Sequence, residues 1–277
     1  MTAAATATWR LPDRVRVSAG EVATGTFGAG PPVVLVHGTP AWSYLWRNVV
    51  PALARTHTVY VWDLLGFGDS RLAPGATPSI AQQATALAEL VRHWRLDAPG
   101  LVGHDIGGGV VLRAHLVDDT PARRLALLDA AVLGPWNTPF TEHIQQHDDA
   151  YRTMPTHVFG DIVEARLRTA THRQLPHDTL REYLRPWAGE AGQQRWIDQV
   201  ASVSHTDTTD AVRRLDQVRV PTLVLWGEND GWLAPAVGDR LAAAIPGARR
   251  QTVPAAGHFL PEDAPDAVAD ALREFLA

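Results

Sequence analysis

The run Leu101-Val102-Gly103-His104-Asp105-Ile106-Gly107-Gly108 sets one acidic residue between glycines, where a short apolar stretch gives way to a helical pattern. A sharp strand-to-helix turn needs small neighbours and leaves its central side chain exposed at the head of a helix, the arrangement of a nucleophile elbow. The central residue here is Asp105, although a carboxylate in that place could also do no more than cap the helix. Val224-Leu225-Trp226-Gly227-Glu228-Asn229-Asp230 places a second acid just beyond a buried strand, and Ala255-Ala256-Gly257-His258-Phe259 places a histidine in the loop after the next strand. Each alone is an ordinary loop residue. Together Asp105, Asp230 and His258 stand at strand ends in the order nucleophile, acid, base, on the side of an open α/β sheet where ligands bind. Asp129, at the end of the strand before, competes with Asp230 for the role of acid. Asp230 is preferred because its Gly-x-x-Asp turn suits the geometry better.

The elements that must position these residues follow from pattern. Arg14 to Ser18 and Glu21 to Phe27 read as a hairpin around Gly20, and Val33 to Val36 and Thr58 to Trp62 as strands covered on both faces. Gly100 to Gly103, Arg124 to Asp129, Thr222 to Trp226 and Arg249 to Val253 continue the strand series. Helices are predicted over Ser43 to Ala54, from the cap Ser79 to Trp94, and over Gly107 to Val117, Pro235 to Ile245 and Pro265 to Leu276. Alternating strands and helices imply a mostly parallel, eight-stranded sheet with helices on both faces. From 133 to 216 the strand signal vanishes. That stretch is helical, rich in His, Arg and aromatic residues, with prolines at 135, 139, 155, 176 and 186. It is expected to be a cap inserted into a core made of residues 1–132 and 217–277.

The chain has 277 residues, 45% hydrophobic and 20% charged, enough for one α/β domain with a good core. A net charge of -5 gives no broad attraction for phosphates or anionic lipid, so neither nucleic acid nor a membrane surface is expected as a partner. With no cysteine there are no disulfides, thiolate ligands or cysteine nucleophile. The opening Met1 to Trp9 lacks the apolar core of a signal peptide and no long uncharged apolar run follows, so the expected location is the cytoplasm.

The residues now resemble a known family, the α/β hydrolases, and within it the haloalkane dehalogenase and epoxide hydrolase branch. His37-Gly38-Thr39-Pro40 matches the family's oxyanion motif, Ser43-Tyr44-Leu45-Trp46-Arg47-Asn48 resembles the dehalogenase segment that follows it, and Asp63-Leu64-Leu65-Gly66-Phe67-Gly68-Asp69-Ser70 matches the loop after the next strand. The likeness covers residues 30 to 132 and 217 to 277. It implies that Asp105 attacks an sp3 carbon to form an alkyl-enzyme ester, and that His258, oriented by Asp230, activates the water that resolves it. The backbone N–H groups of Thr39 and Ile106 would hold the oxyanion, each contributing on the order of 3 kcal/mol. Carboxylate attack on an ordinary ester would give a reactive mixed anhydride, so esterase activity is disfavoured. No cofactor is implied.

The leaving group is less determined. Haloalkane dehalogenases carry tryptophan directly after the nucleophile, with an asparagine or second tryptophan as the other halide donor; here those positions are Ile106 and Thr39, though Trp136 and Trp187 in the cap could aim an indole N–H inward. Fluoroacetate dehalogenases carry arginine after the nucleophile, and Ile106 departs from that as well. An epoxide needs a proton donor for the opening alkoxide, commonly a lid tyrosine, and the cap holds Tyr151 and Tyr183, which could equally just pack it onto the core. His37 and His104 flank the site in sequence and are further substrate-binding candidates. His143 and His147 are one helical turn apart, as metal ligands can be, but without an evident third ligand a solvated face is expected and no metal is assigned. The expected reaction is epoxide opening by way of an aspartyl ester, with carbon–halogen cleavage as the alternative, on a small, neutral, largely apolar substrate. A use from another class stays open: a lyase or cyclase in which Asp105 is only a base, or a lid-enclosed binding pocket. The oligomeric state is not legible.

Overall fold

The computed structural model describes residues 9–277, so the reading of the chain's opening falls, but for Trp9, outside the described residues. The hairpin forms as β1 (Asp13–Val17) against β2 (Gly20–Phe27). The apolar runs become β3 (Pro32–Val36), β4 (Thr58–Trp62), β6 (Gly100–His104), β7 (Arg124–Leu128), β8 (Thr222–Gly227) and β9 (Arg249–Val253). These and β5 (Arg71–Leu72) make one nine-stranded sheet in the order β1-β2-β4-β3-β6-β7-β8-β9. Pairing is parallel from β4 to β9 and antiparallel at the β1-β2-β4 edge. The ninth strand exceeds the eight expected because β5 is only two residues long, pairs solely with β2, and lies within a Gly/Pro-rich loop that carries no strand periodicity.

The helix expected over Ser43 to Ala54 is two short pieces, a 3₁₀ turn over Ser43–Trp46 and α1 (Val50–Leu53). Pro51 explains the break: it has no N–H to donate, and its ring would meet the carbonyl of Arg47 one turn earlier. α2 (Ile80–His93) starts at Ser79, whose hydroxyl accepts the Gln82 N–H, and packs on α3 (Ile106–Leu116). Between β7 and β8 the chain forms α4 (Pro139–Gln146), α5 (Asp148–Arg152), α6 (Thr156–Arg168), α7 (His177–Leu184), α8 (Gly189–Ser202) and α9 (Thr209–Val212). Then α10 (Pro235–Ala244) covers β8, and α11 (Leu260–Asp263) leads into α12 (Pro265–Leu276), which packs on α1. No helix among the described residues is long and apolar enough to cross a membrane.

The α4–α9 segment is tied to the sheet by polar contacts buried at its base. The Tyr183 hydroxyl donates to Glu262 Oε1 (2.6 Å), and Glu262 also pairs with Arg47, one bond of which is Nη2 to Oε2 at 3.0 Å. The Trp187 Nε1–H donates to the Pro40 carbonyl (3.0 Å), the Trp42 Nε1–H to the Glu182 carbonyl (3.1 Å), and Arg185 pairs with Asp69 (2.9 Å). Asp263 accepts the backbone N–H groups of His172 (2.7 Å), Arg173 (3.0 Å) and Gly257 (2.8 Å). One carboxylate thus links the loop after α6 to the loop that carries His258.

Candidate active site

Asp105 stands between β6 and α3 with φ 52° and ψ -125°, a backbone conformation that costs a non-glycine residue about 1–3 kcal/mol. The flanking glycines make it attainable. A Cβ on Gly107 would lie 2.5 Å from the carbonyl oxygens of Val36 and His37, and one on Gly103 would lie 2.3 Å from the Gly107 carbonyl oxygen. Gly38 leaves the space that the Asp105 carboxylate fills, since a Cβ there would meet it at 2.5 Å. The Thr39 N–H donates to Asp105 Oδ2 (2.7 Å), and Oδ1 faces His258 Nε2 at 3.6 Å, too long for a direct hydrogen bond.

On its far side the His258 Nδ1–H donates to Asp230 Oδ2 (3.0 Å), while Asp230 Oδ1 accepts the N–H groups of Trp232 (2.8 Å) and Leu233 (2.9 Å). Burial works against a charge on His258, but the carboxylates of Asp230 and Asp105 outweigh it and push its pKa up to about 10. Asp230 is held below the usual carboxylate range: burial opposes this, and the charge and hydrogen bond of His258 overcome it. The structure therefore brings Asp105, His258 and Asp230 into one line.

Asp129 is fully buried behind that line. Its Oδ1 accepts the Gly227 N–H (2.8 Å) and its Oδ2 meets no donor among the described residues. Burial and the neighbouring charge of Asp230 push its pKa well above the usual carboxylate value, and it is Asp230 that His258 faces.

The pocket over Asp105 is lined by Thr39, Ile106, Trp136, Arg166, Trp196, Trp232 and His258 among others, and holds about 50 Å³ of free space, room for a few water-sized groups. Several expected contributors stand elsewhere. Tyr183 is absent from the lining and its hydroxyl is engaged by Glu262, and Tyr151 packs beside the exposed His143. The Trp187 N–H is used on Pro40; Trp136 does line the pocket, but its N–H donates to Thr208 Oγ1 (3.3 Å). His37 and His104 lie beneath the pocket. His37 gives its Nδ1–H to Gly38 and accepts the Leu64 N–H, and His104 Nε2 contacts the His258 carbonyl (2.8 Å). Burial lowers their pKa values to about 3 and about 4, leaving both rings neutral supports. The rings of His143 and His147 are tilted to each other, with centres 4.7 Å apart, on an exposed face.

Of the lining residues that went unread in the sequence, Arg166, Trp232 and Trp196 bear most on the chemistry. Arg166 lies at the edge of the buried Phe159, Val163, Leu167 stripe of α6, its guanidinium 3.5 Å from the centre of the Trp232 ring. Trp232 in turn stacks on His258, with ring centres 4.8 Å apart. Trp196 belongs to the buried face of α8, and its Nε1–H is buried with no partner among the described residues. The amphipathic stripes of α6 and α8 were the available signal, but a stripe tells which face turns inward and not which residue reaches a pocket.

Residues 31–265 match the family model described as alpha/beta hydrolase fold. The chain belongs to the α/β-hydrolase family. This hydrolase is 29% identical over 269 residues to a soluble epoxide hydrolase from Corynebacterium sp. (strain C12), covering 91% of this chain and 92% of that one. It is 32% identical over 252 residues to a haloalkane dehalogenase from Mycobacterium marinum, covering 84% and 80%. A crystal structure of an alpha/beta hydrolase fold protein from Burkholderia ambifaria superposes with a TM-score of 0.92 at 36% identity, over 96% of this chain and 98% of that one. The α/β hydrolase described here is therefore similar to enzymes of both the epoxide and the dehalogenase kind.

Proposed function

We propose that this α/β hydrolase works through a covalent ester on Asp105 and that carbon–halogen cleavage is its leading reaction. The observation that carries the proposal is the placement of the Asp105 carboxylate, with one oxygen held by the Thr39 N–H and the other 3.6 Å from His258 Nε2. Oδ1 attacks the sp3 carbon as the halide departs with its bonding pair. Water then adds to the ester carbonyl, giving its proton to His258, while Thr39 and the Ile106 N–H hold the oxyanion; collapse restores Asp105 and frees an alcohol. Loss of the Asp105 charge on alkylation removes one of the two carboxylates that keep His258 protonated, so the ring sheds that proton to solvent, then takes the water's and passes it to the departing alkoxide. Residues 133–216 act as the cap that keeps the site dry over the core of 1–132 and 217–277.

The leaving group follows from the donors. Among the described residues no tyrosine lines the pocket, so an epoxide's alkoxide would lack a phenolic proton donor, whereas a halide leaves as a stable anion and needs only N–H groups. Trp196, which lines the pocket and has its indole N–H uncommitted, suits that need. This reverses the order expected from sequence. Epoxide opening is the second reading, favoured by the similarity to the Corynebacterium epoxide hydrolase. The test is to incubate His258→Gln with 1-bromobutane, bromoacetate and 1,2-epoxybutane, and to weigh the peptide that contains Asp105. A mass gain equal to the transferred alkyl group is expected from a bromide. Turnover of these substrates by the unaltered enzyme with no adduct on the variant would refute the ester mechanism, and diol formation without halide release would restore the epoxide reading.

A further inference from the structure

Arginines that leave water in this protein find carboxylates: Arg47 has Glu262, Arg185 has Asp69, Arg152 has Asp148 and Asp198. Arg166 differs. It is partly buried, it lines the pocket over Asp105, and no carboxylate lies within ion-pair distance among the described residues. Of its five N–H donors, one makes a 3.3 Å bond from Nη2 to Thr138 Oγ1. The guanidinium is held in place by its 3.5 Å stack on Trp232 and by the Phe140 ring at 5.4 Å, so its orientation is fixed before any ligand arrives. Burial lowers its pKa to about 10, which still leaves it charged at neutral pH.

A planar, fixed, unspent guanidinium beside a nucleophilic carboxylate has an evident use. Asp105 and Asp230 outweigh the single positive charge of His258 between them, so an anion that approaches meets a net negative triad, and a second cation in the pocket lowers that cost. We propose that Arg166 binds the carboxylate of the substrate, making the preferred substrates small 2-halocarboxylic acids in place of the neutral, apolar molecules expected from sequence. This rests on the dehalogenation reading and adds the substrate's class. For bromoacetate, Asp105 Oδ1 would bond to C2 as the C–Br bond breaks and bromide leaves with the electron pair; water would then release glycolate and return Asp105. The small free space over Asp105 suits short-chain acids. The same guanidinium fork that satisfies Glu262 at Arg47 would take both carboxylate oxygens.

The test compares bromoacetate with bromoacetamide, which has the same carbon and leaving group without the charge, by halide release from the unaltered enzyme and from Arg166→Met. The acid-to-amide ratio of kcat/KM should fall on the order of 10²-fold in the variant, as expected when one partner of a buried charge pair is removed, and Arg166→Lys should recover part of it. An unchanged ratio, or an equal loss on both substrates as expected if Arg166 served the departing halide, overturns the proposal. A second measurement separates this inference from the reaction it rests on. Calorimetric binding of propionate should be weakened at least about tenfold by Arg166→Met, with propionamide bound more weakly than propionate by the unaltered protein. If neither bromide is turned over but propionate binds in that pattern, dehalogenation fails and the carboxylate site stands; if propionate binding is indifferent to residue 166, the carboxylate site fails.

Discussion

A carboxylate's role depends on what surrounds it, and this chain places three of them within one site under different conditions. Asp105 is pinned by a backbone N–H at the head of a helix, Asp230 is satisfied by two N–H groups and an imidazole, and Asp129 is buried with half of its capacity unmet. Asp129 is the residue most easily mistaken for the triad acid, since it too ends a parallel strand. Replacing it with Asn removes the buried acid while keeping an oxygen for Gly227 and setting an NH2 toward Asp230. Asp129→Asn should therefore keep kcat within about threefold and hold or raise stability, because the amide leaves no carboxyl oxygen to be ionised in a fully buried place. A loss of a hundredfold or more in steady-state kcat would instead make Asp129 a partner of His258. Asp230→Asn should cost on the order of 10⁴-fold in kcat, the penalty known when the acid that fixes a catalytic histidine is made neutral.

At the level of elements, the turn between β6 and α3 is defined by what cannot be added to it. Gly107→Ala would drive a methyl into two backbone carbonyl oxygens at 2.5 Å, and expression of soluble protein, or a Tm lowered by well over 10 °C, is the readout. Tyr183 belongs to the foundation of the α4–α9 segment and not to its chemistry. Tyr183→Phe removes one hydrogen bond to a charged group, so a stability loss of about 1.5–3 kcal/mol with kcat nearly unchanged is expected; a collapse of kcat on epoxides alone would return it to the role of proton donor. These contrasts mark what the chain made legible. Glycines and one polar residue at a strand end announce Asp105, because such a turn has few sequence solutions. Tyr183, Trp187 and Arg166 could not be sorted from each other, because a helix's inward face mixes anchors with pocket walls and only the crossing of α6, α7 and α8 over the sheet decides which is which. The helix misread over Ser43 to Ala54 had its correction in view at Pro51, and β5 was too short to leave any pattern.

For the whole molecule, the buried titrating groups set how stability responds to pH. The imidazole of His258 binds its proton up to about pH 10 when folded and only to about 6.5 in an unfolded chain. Across that interval the native state holds the extra proton, so stability should fall as pH rises, with this one group contributing up to about 1.4 kcal/mol per pH unit. Denaturation midpoints at fixed ionic strength should show this slope, and His258→Gln should flatten it; a stability that climbs from pH 7 to 9 would contradict the assignment. On the acid side the effects oppose one another. His37 and His104, kept neutral down to about pH 3 and about 4 by burial, favour unfolding as pH falls below 6.5, while burial raises Asp63 to about 6 and works the other way.

The carboxylate of Asp263 joins the loop after α6 to the loop of His258 through three backbone N–H groups. A door hinged along that edge could not swing outward without dragging the ring of His258 off station. Thr138 and Val203, at the ends of α4 and α8, also line the pocket, and a ligand exchanged past them would leave that ring where it is.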